Sequence, residues 1–181
     1  MTFVESLSIN QLAEGVKACE DNFIRHVEDA EILIQRHRYL GAFNSLRLAL
    51  DELGKSELLK TAAELENGDC DGWEKLWNGF TNHKEKQKAI ESIISSKSNA
   101  NELGDIVKFL LNYREAFAYV DYNEKDRKFV NPLDIPLHIQ ESMSKNEHDI
   151  TKKLAEIFFP CGVNSISDIE WILWDIKLRS P

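Results

Sequence analysis

A histidine and a lysine stand one helical turn apart in Phe80-Thr81-Asn82-His83-Lys84-Glu85-Lys86, and an earlier segment, Ala42-Phe43-Asn44-Ser45-Leu46-Arg47-Leu48-Ala49-Leu50-Asp51-Glu52-Leu53-Gly54-Lys55, carries carboxylates among small apolar residues. An imidazole moves protons near neutral pH. An ammonium stabilises phosphate or carboxylate charge, and a carboxylate held between helices must be paired to be tolerated. These groups suit either acid–base chemistry on a phosphodiester or a buried polar network.

The faces sort them. Ala42, Ser45, Ala49, Glu52 and Ser56 share one side of a helix, a seam that lets a second helix approach closely and desolvates Glu52. Arg47, Asp51 and Lys55 follow at i, i+4 and i+8, which reads as an exposed charge ladder worth a few tenths of a kcal/mol per pair. His83 falls in register with Trp73, Leu76 and Phe80, so its ring is expected to point inward. Lys86, one turn further, is then placed to meet Glu52. Glu52, His83 and Lys86 are the candidate catalytic residues, and the sharpest expectation is that Glu52 meets Lys86 or His83 across the interface of helices two and three. The structural alternative for His83 is a satisfied core histidine.

Other chemistries find no support. The only Gly-Lys pair, Gly54-Lys55, lacks the preceding glycines of a phosphate loop, and there is no Gly-x-Ser-x-Gly elbow. The Glu-x-x-His pattern of di-iron bundles is absent, and His26, His37, His138 and His148 form no metal spacing. We expect no metal and no cofactor. Cys19, Cys70 and Cys161 are odd in number and widely spaced, which fits a reducing compartment. A net charge of -9 gives no global pull toward nucleic acid. The first residues lack the basic and apolar regions of a signal peptide, and no run approaches the roughly 18 apolar residues of a membrane span. A soluble cytoplasmic protein is expected.

The scaffold that must position these groups reads as helical. With 43% hydrophobic residues, 8 Gly and 4 Pro, the 181 residues suit one all-α domain. Ser8 and Gln11 form a capping-box pattern, and the apolar stripe from Ile9 to Ile34 predicts a long first helix. A short link through Arg36-His37-Arg38 predicts an antiparallel second helix over about 42–66. A third is expected over about 73–94, a polar loop over 95–99 and a fourth helix over about 101–117. Alternation over 118–122 predicts a short β element near 119–129. Separate helices over about 137–144 and 149–158 precede an amphipathic one over about 167–178 with Trp171 and Trp174 beside its stripe.

The ordered combination of Arg38-Tyr39-x-x-Ala42, the Leu48-to-Lys55 motif, Phe80-x-x-His83-x-x-Lys86, Arg114-Glu115 and Tyr119-Val120-Asp121 resembles the AbiV family of abortive-infection proteins, part of the HEPN group of helical domains. The resemblance covers about residues 15–135, with 136–181 as a helical extension. It implies a HEPN-like bundle with a long antiparallel hairpin, a homodimer, and an effector in phage defence. Such an effector acts through a phage or host protein or by blocking translation. It brings Asp51, Lys55, Arg114, Tyr119 and Asp121 in as candidate binding residues. Many HEPN proteins are metal-independent ribonucleases with an Arg-x(4–6)-His motif, but none of the five histidines here has an arginine at that spacing. Cleavage of RNA would fall to Glu52, His83 and Lys86. A toxin-neutralising or scaffold module without chemistry is the third reading. The small seam of Ala42, Ser45 and Ala49 suits pairing within the chain or across a two-fold axis.

Overall fold

Ser8 accepts a hydrogen bond from the Gln11 backbone N–H at 3.3 Å, and the Gln11 side chain accepts from the Ser8 N–H at 2.9 Å. This reciprocal cap starts α1, Ile9–Gln35, whose buried stripe is Leu12, Val16, Cys19, Phe23, Val27 and Ala30. The structure is a computed structural model that describes residues 6–66, 68–95, 121–123, 128–130, 135–158 and 165–179.

The end of α1 is set by His37, which takes φ 54°. That left-handed turn lets the Arg38 N–H reach the Leu33 carbonyl at 2.8 Å and the His37 N–H reach Ile34 at 3.0 Å, a Schellman closure. The ring is held by a 2.8 Å bond between His37 Nδ1 and the Tyr39 hydroxyl. The chain then reverses into α2, Tyr39–Ala62, and the long hairpin is formed. Ala42 and Leu46 pack on Ala30, Leu33 and Ile34, so at Ala42 the small seam is filled within the chain.

Asp69 caps α3, Cys70–Thr81, by accepting from the Gly72 N–H at 2.9 Å. The expected third helix is interrupted. Asn82 is extended at φ -99°, ψ 111°, and its side chain accepts from the Lys84 N–H at 3.0 Å, opening a separate α4, His83–Ser95. Asparagine competes with the helix for backbone groups, which is why the run breaks there. The expected helix over 101–117, and most of the loop before it, lie outside the described residues.

A two-stranded antiparallel hairpin, β1 (Asp121–Asn123) and β2 (Lys128–Val130), pairs Asp121 with Val130 in the stretch where alternation indicates β structure. Where two helices were expected there is one, α5, Leu137–Phe158. Its middle holds because it docks on α2: the Ser144 hydroxyl donates to the Tyr39 carbonyl at 2.9 Å. The last helix, α6, Ile166–Arg179, lies close to its expected span. Ile169 and Leu173 join Leu12, Val16, Leu59, Trp73 and Leu76 in the main core, so the fold is an all-α bundle around the α1–α2 hairpin. No helix among the described residues is long and apolar enough to cross a membrane.

Candidate functional site

The crossing of α4 over α2 is built on Gly54. A Cβ there would lie 2.6 Å from Lys86 Cβ and 2.7 Å from the Lys86 carbonyl oxygen, so only glycine lets the two backbones come this close. The approach leaves Lys86 only 4% exposed. Its Nζ is 3.3 Å from Asp51 Oδ2, and His83 Nδ1 is 2.6 Å from the same oxygen. Asp51 is mostly covered, at 19% side-chain exposure, whereas the His83 ring is half open at 52%.

The two α4 partners therefore meet on Asp51 and not on Glu52. Neighbouring residues on a helix point about 100° apart. That rotation turns Glu52 away to accept from Lys55 Nζ at 2.7 Å and to take a hydrogen bond from the Cys19 thiol on α1. Burial, then the Glu52 charge, pushes the Cys19 thiol up to about 12, so it is an inert core group rather than a nucleophile. His83 is not directed into the apolar core either. The break at Asn82 releases it from the Trp73, Leu76 and Phe80 register and places it at the start of α4, near the surface.

The Arg47–Asp51–Lys55 ladder also dissolves. Asp51 bonds α4, Lys55 bonds Glu52, and Arg47 faces Glu147 of α5. Glu147 is 1% exposed, neither of its oxygens has a hydrogen-bond partner, and Arg47 Nε is likewise buried without one. Burial raises the Glu147 carboxyl to about 8, against the opposing pull of Arg47, so it is mostly protonated at neutral pH. Beside it, burial and then Lys152 hold His148 below its usual range. The sequence reading passed over Glu147. The signal was present in the spacing of Gln140, Ser144, Glu147, Thr151 and Leu154, all buried at steps of four and three. Because most of that stripe is polar, a search for apolar periodicity does not find it.

Among the other candidates, Asp121 opens β1, while Arg114 and Tyr119 lie outside the described residues. Among the described residues no group of three or more His, Cys, Asp or Glu converges as a metal site. A groove of about 590 Å³ lies beside the α2–α4 crossing, between α2 and α3; Leu58, Leu65, Asp69, Lys75 and Glu85 line it, and none of Asp51, His83 or Lys86 does.

Chemically, a carboxylate on Nδ1 favours the tautomer whose Nε2 is the basic nitrogen. The Asp51–His83 couple can thus hold a general base at a half-open surface. Lys86 shares the Asp51 charge and stays mostly covered, so it braces the carboxylate more than it presents a cation to solvent.

A long helical hairpin with further helices packed on it defines an all-α helical bundle. The chain matches the family model described as AbiV, of the HEPN group, over residues 11–156. It belongs to the AbiV family, and membership places it among abortive-infection proteins, which act in defence against phage. The match runs past residue 135 and takes in nearly all of α5, so the family segment is longer than the motifs alone suggest. No curated protein and no solved structure matches the chain.

Proposed function

We propose that this protein is a cytoplasmic abortive-infection effector whose 181 residues form one domain and which acts by binding a phage or host protein, with translation as the process it stops. The observation that carries this reading is the state of Lys86. The cation that RNA cleavage would use to stabilise phosphate charge is 4% exposed and bonded to Asp51. The missing Arg-x(4–6)-His spacing points the same way.

A second reading, a metal-independent ribonuclease, draws support from one observation: the 2.6 Å Asp51–His83 couple with a half-open ring. The two are separated with purified protein, total RNA and a chelator, beside a phage-plating assay in cells. For the binding effector we expect intact RNA, and phage protection retained by His83→Ala. RNA cleavage that survives the chelator and vanishes in a folded His83→Ala variant would establish the ribonuclease instead. Pull-down from infected cells then identifies the partner.

A further inference from the structure

Two stripes of residues bound the groove between α2 and α3. Leu58, Ala62 and Leu65 on α2 stand at i, i+4 and i+7, and Gly72, Leu76 and Gly79 on α3 repeat the same steps. The two helices run antiparallel here. A Cβ on Gly79 would lie 3.1 Å from Leu58 Cδ1, and one on Gly72 would lie 2.7 Å from Leu65 Cδ2. Each stripe spans about 10.5 Å, so the groove is two helical turns long. Ala62 and Leu76 are buried and form its floor, while Leu58 and Leu65 are only partly covered. The two glycines put no side chain into it. Matched stripes on neighbouring helices form a seat into which the ridge of a third helix packs.

We propose that this groove is where the partner protein docks, through an amphipathic helix with basic residues about two turns apart and leucine-sized residues between them. The proposal rests on the binding-effector reading and names the surface that reading needs. Charge decides the occupant. Asp69 and Asp71 stand at the Leu65 end. Glu85 stands at the Leu58 end, its Cβ 3.8 Å from the place of a Gly79 Cβ. Asp69 spends one oxygen on the Gly72 N–H and keeps its charge. The opposing cations are Lys75, exposed on α3 between the two ends, and Lys88, bonded to Glu85 at 2.7 Å along α4. That pair is exposed on both sides and therefore weak, so Glu85 can turn to a partner's cation. The groove is thus acidic at both ends and apolar along its floor. Its complement is a helix with cations at i and i+7, and a net charge of -9 draws such a segment in from a distance. An acidic helix would meet like charge at either end.

Fluorescence anisotropy of the full chain is the test, with a labelled helical peptide of about 16 residues as probe. The probe carries arginines seven residues apart with leucines between, and a twin peptide has glutamate at each arginine. We expect the arginine peptide to bind with a Kd of roughly 10–100 μM and the twin at least about ten-fold more weakly. Thr61 lines the groove from an exposed position, so Thr61→Trp should fill it and abolish binding. Asp71→Lys should weaken binding roughly five- to ten-fold. Asp149→Lys makes the same change in net charge at a 76% exposed carboxylate outside the groove, and should weaken it less than about two-fold. No binding, or equal binding of the twin, overturns the proposal. So does an Asp149→Lys loss as large as that of Asp71→Lys, which would mark general attraction to an acidic surface. If circular dichroism shows that Thr61→Trp does not fold, the two charge reversals decide between them. In cells, the folded groove variants should lose phage protection. Protection retained by them overturns the groove as the partner's seat and leaves the effector reading intact with another surface. RNA cleavage by wild type is the separate readout on which the effector reading itself fails, and peptide binding still decides the groove.

Discussion

Helix α2 keeps two charged groups one turn apart, Arg47 and Asp51, and its neighbours answer them in opposite ways. At Asp51, α4 supplies two partners, a histidine at 2.6 Å and a lysine at 3.3 Å, and one of them remains half open to water. At Arg47, α5 supplies Glu147, almost fully enclosed with neither oxygen bonded. The first interface holds its carboxylate by pairing. The second holds its carboxyl by protonation. In each place the carboxyl avoids standing as an isolated buried charge, whose cost is the controlling quantity. The difference teaches where function can reside. A paired group at a half-open surface stays charged and accessible, whereas an enclosed, neutral one contributes only to packing and to the pH dependence of stability.

The sharpest way to break the comparison is to remove the carboxylate that does the pairing. Asp51→Ala leaves the covered Lys86 ammonium without a partner and should lower stability by about 3–5 kcal/mol in urea denaturation at pH 7. A loss below about 1 kcal/mol would mean that Lys86 reaches water and that the pairing is incidental.

The close crossing that creates this site can be tested next. Gly54→Ala brings a methyl group against the Lys86 backbone, which cannot yield as a flexible side chain does. We expect a cost of about 1–3 kcal/mol from the forced separation of α2 and α4. An unchanged denaturation midpoint would show that the two helices are not held this tightly.

Glu147 tests the other side. Its carboxyl is raised from 4.5 to about 8 in the folded chain. The folded state therefore binds the proton more tightly than the unfolded one. Its favourable contribution is complete below about pH 4.5 and is lost as pH rises toward 8. Glu147→Gln keeps the shape of the neutral acid and removes the titration. The variant should be more stable than wild type by about 1–3 kcal/mol at pH 8.5, with the gap narrowing by pH 6. A gap that does not change with pH would place the Glu147 charge in contact with Arg47 after all.

Much of the frame was legible from residue spacing, because its signals are local. The Ser8–Gln11 cap and the apolar steps of α1 specify that helix without reference to anything else. That His83 and Lys86 stand one turn apart on the same helix was legible for the same reason, although the helix was expected to start near Trp73 and instead starts at His83. Which carboxylate they meet was not, since that depends on how α2 is rotated between α1 and α4. Small residues suggested that the Ala42–Glu52 face met the later helices, yet Ala42 packs on α1. The better marker was Gly54, three residues from Asp51 and on the same side, where α4 comes closest. The interruption at Asn82 depends on one side-chain bond to the Lys84 N–H, which apolar periodicity does not register. The unbroken run of α5 follows from a polar stripe that becomes readable only against α2.

The smallest expected effect isolates the rotation itself. Glu52 and Asp51 are adjacent, share a charge and differ by one step around the same helix. Glu52 pairs with Lys55 three residues on, and both side chains keep some contact with water, at 14% and 26% exposure. Removing the carboxylate leaves a lysine that can turn outward, so no charge is stranded. The Cys19 thiol loses a hydrogen-bond acceptor but is a weak donor with little to lose. Glu52→Ala should then cost about 0.5–1 kcal/mol, several-fold less than Asp51→Ala, and should leave the His83 environment unaltered. Urea denaturation of the two variants side by side makes the contrast direct: the midpoint should fall far in Asp51→Ala and little in Glu52→Ala. A Glu52→Ala loss as large as that of Asp51→Ala would return the crossing to Glu52.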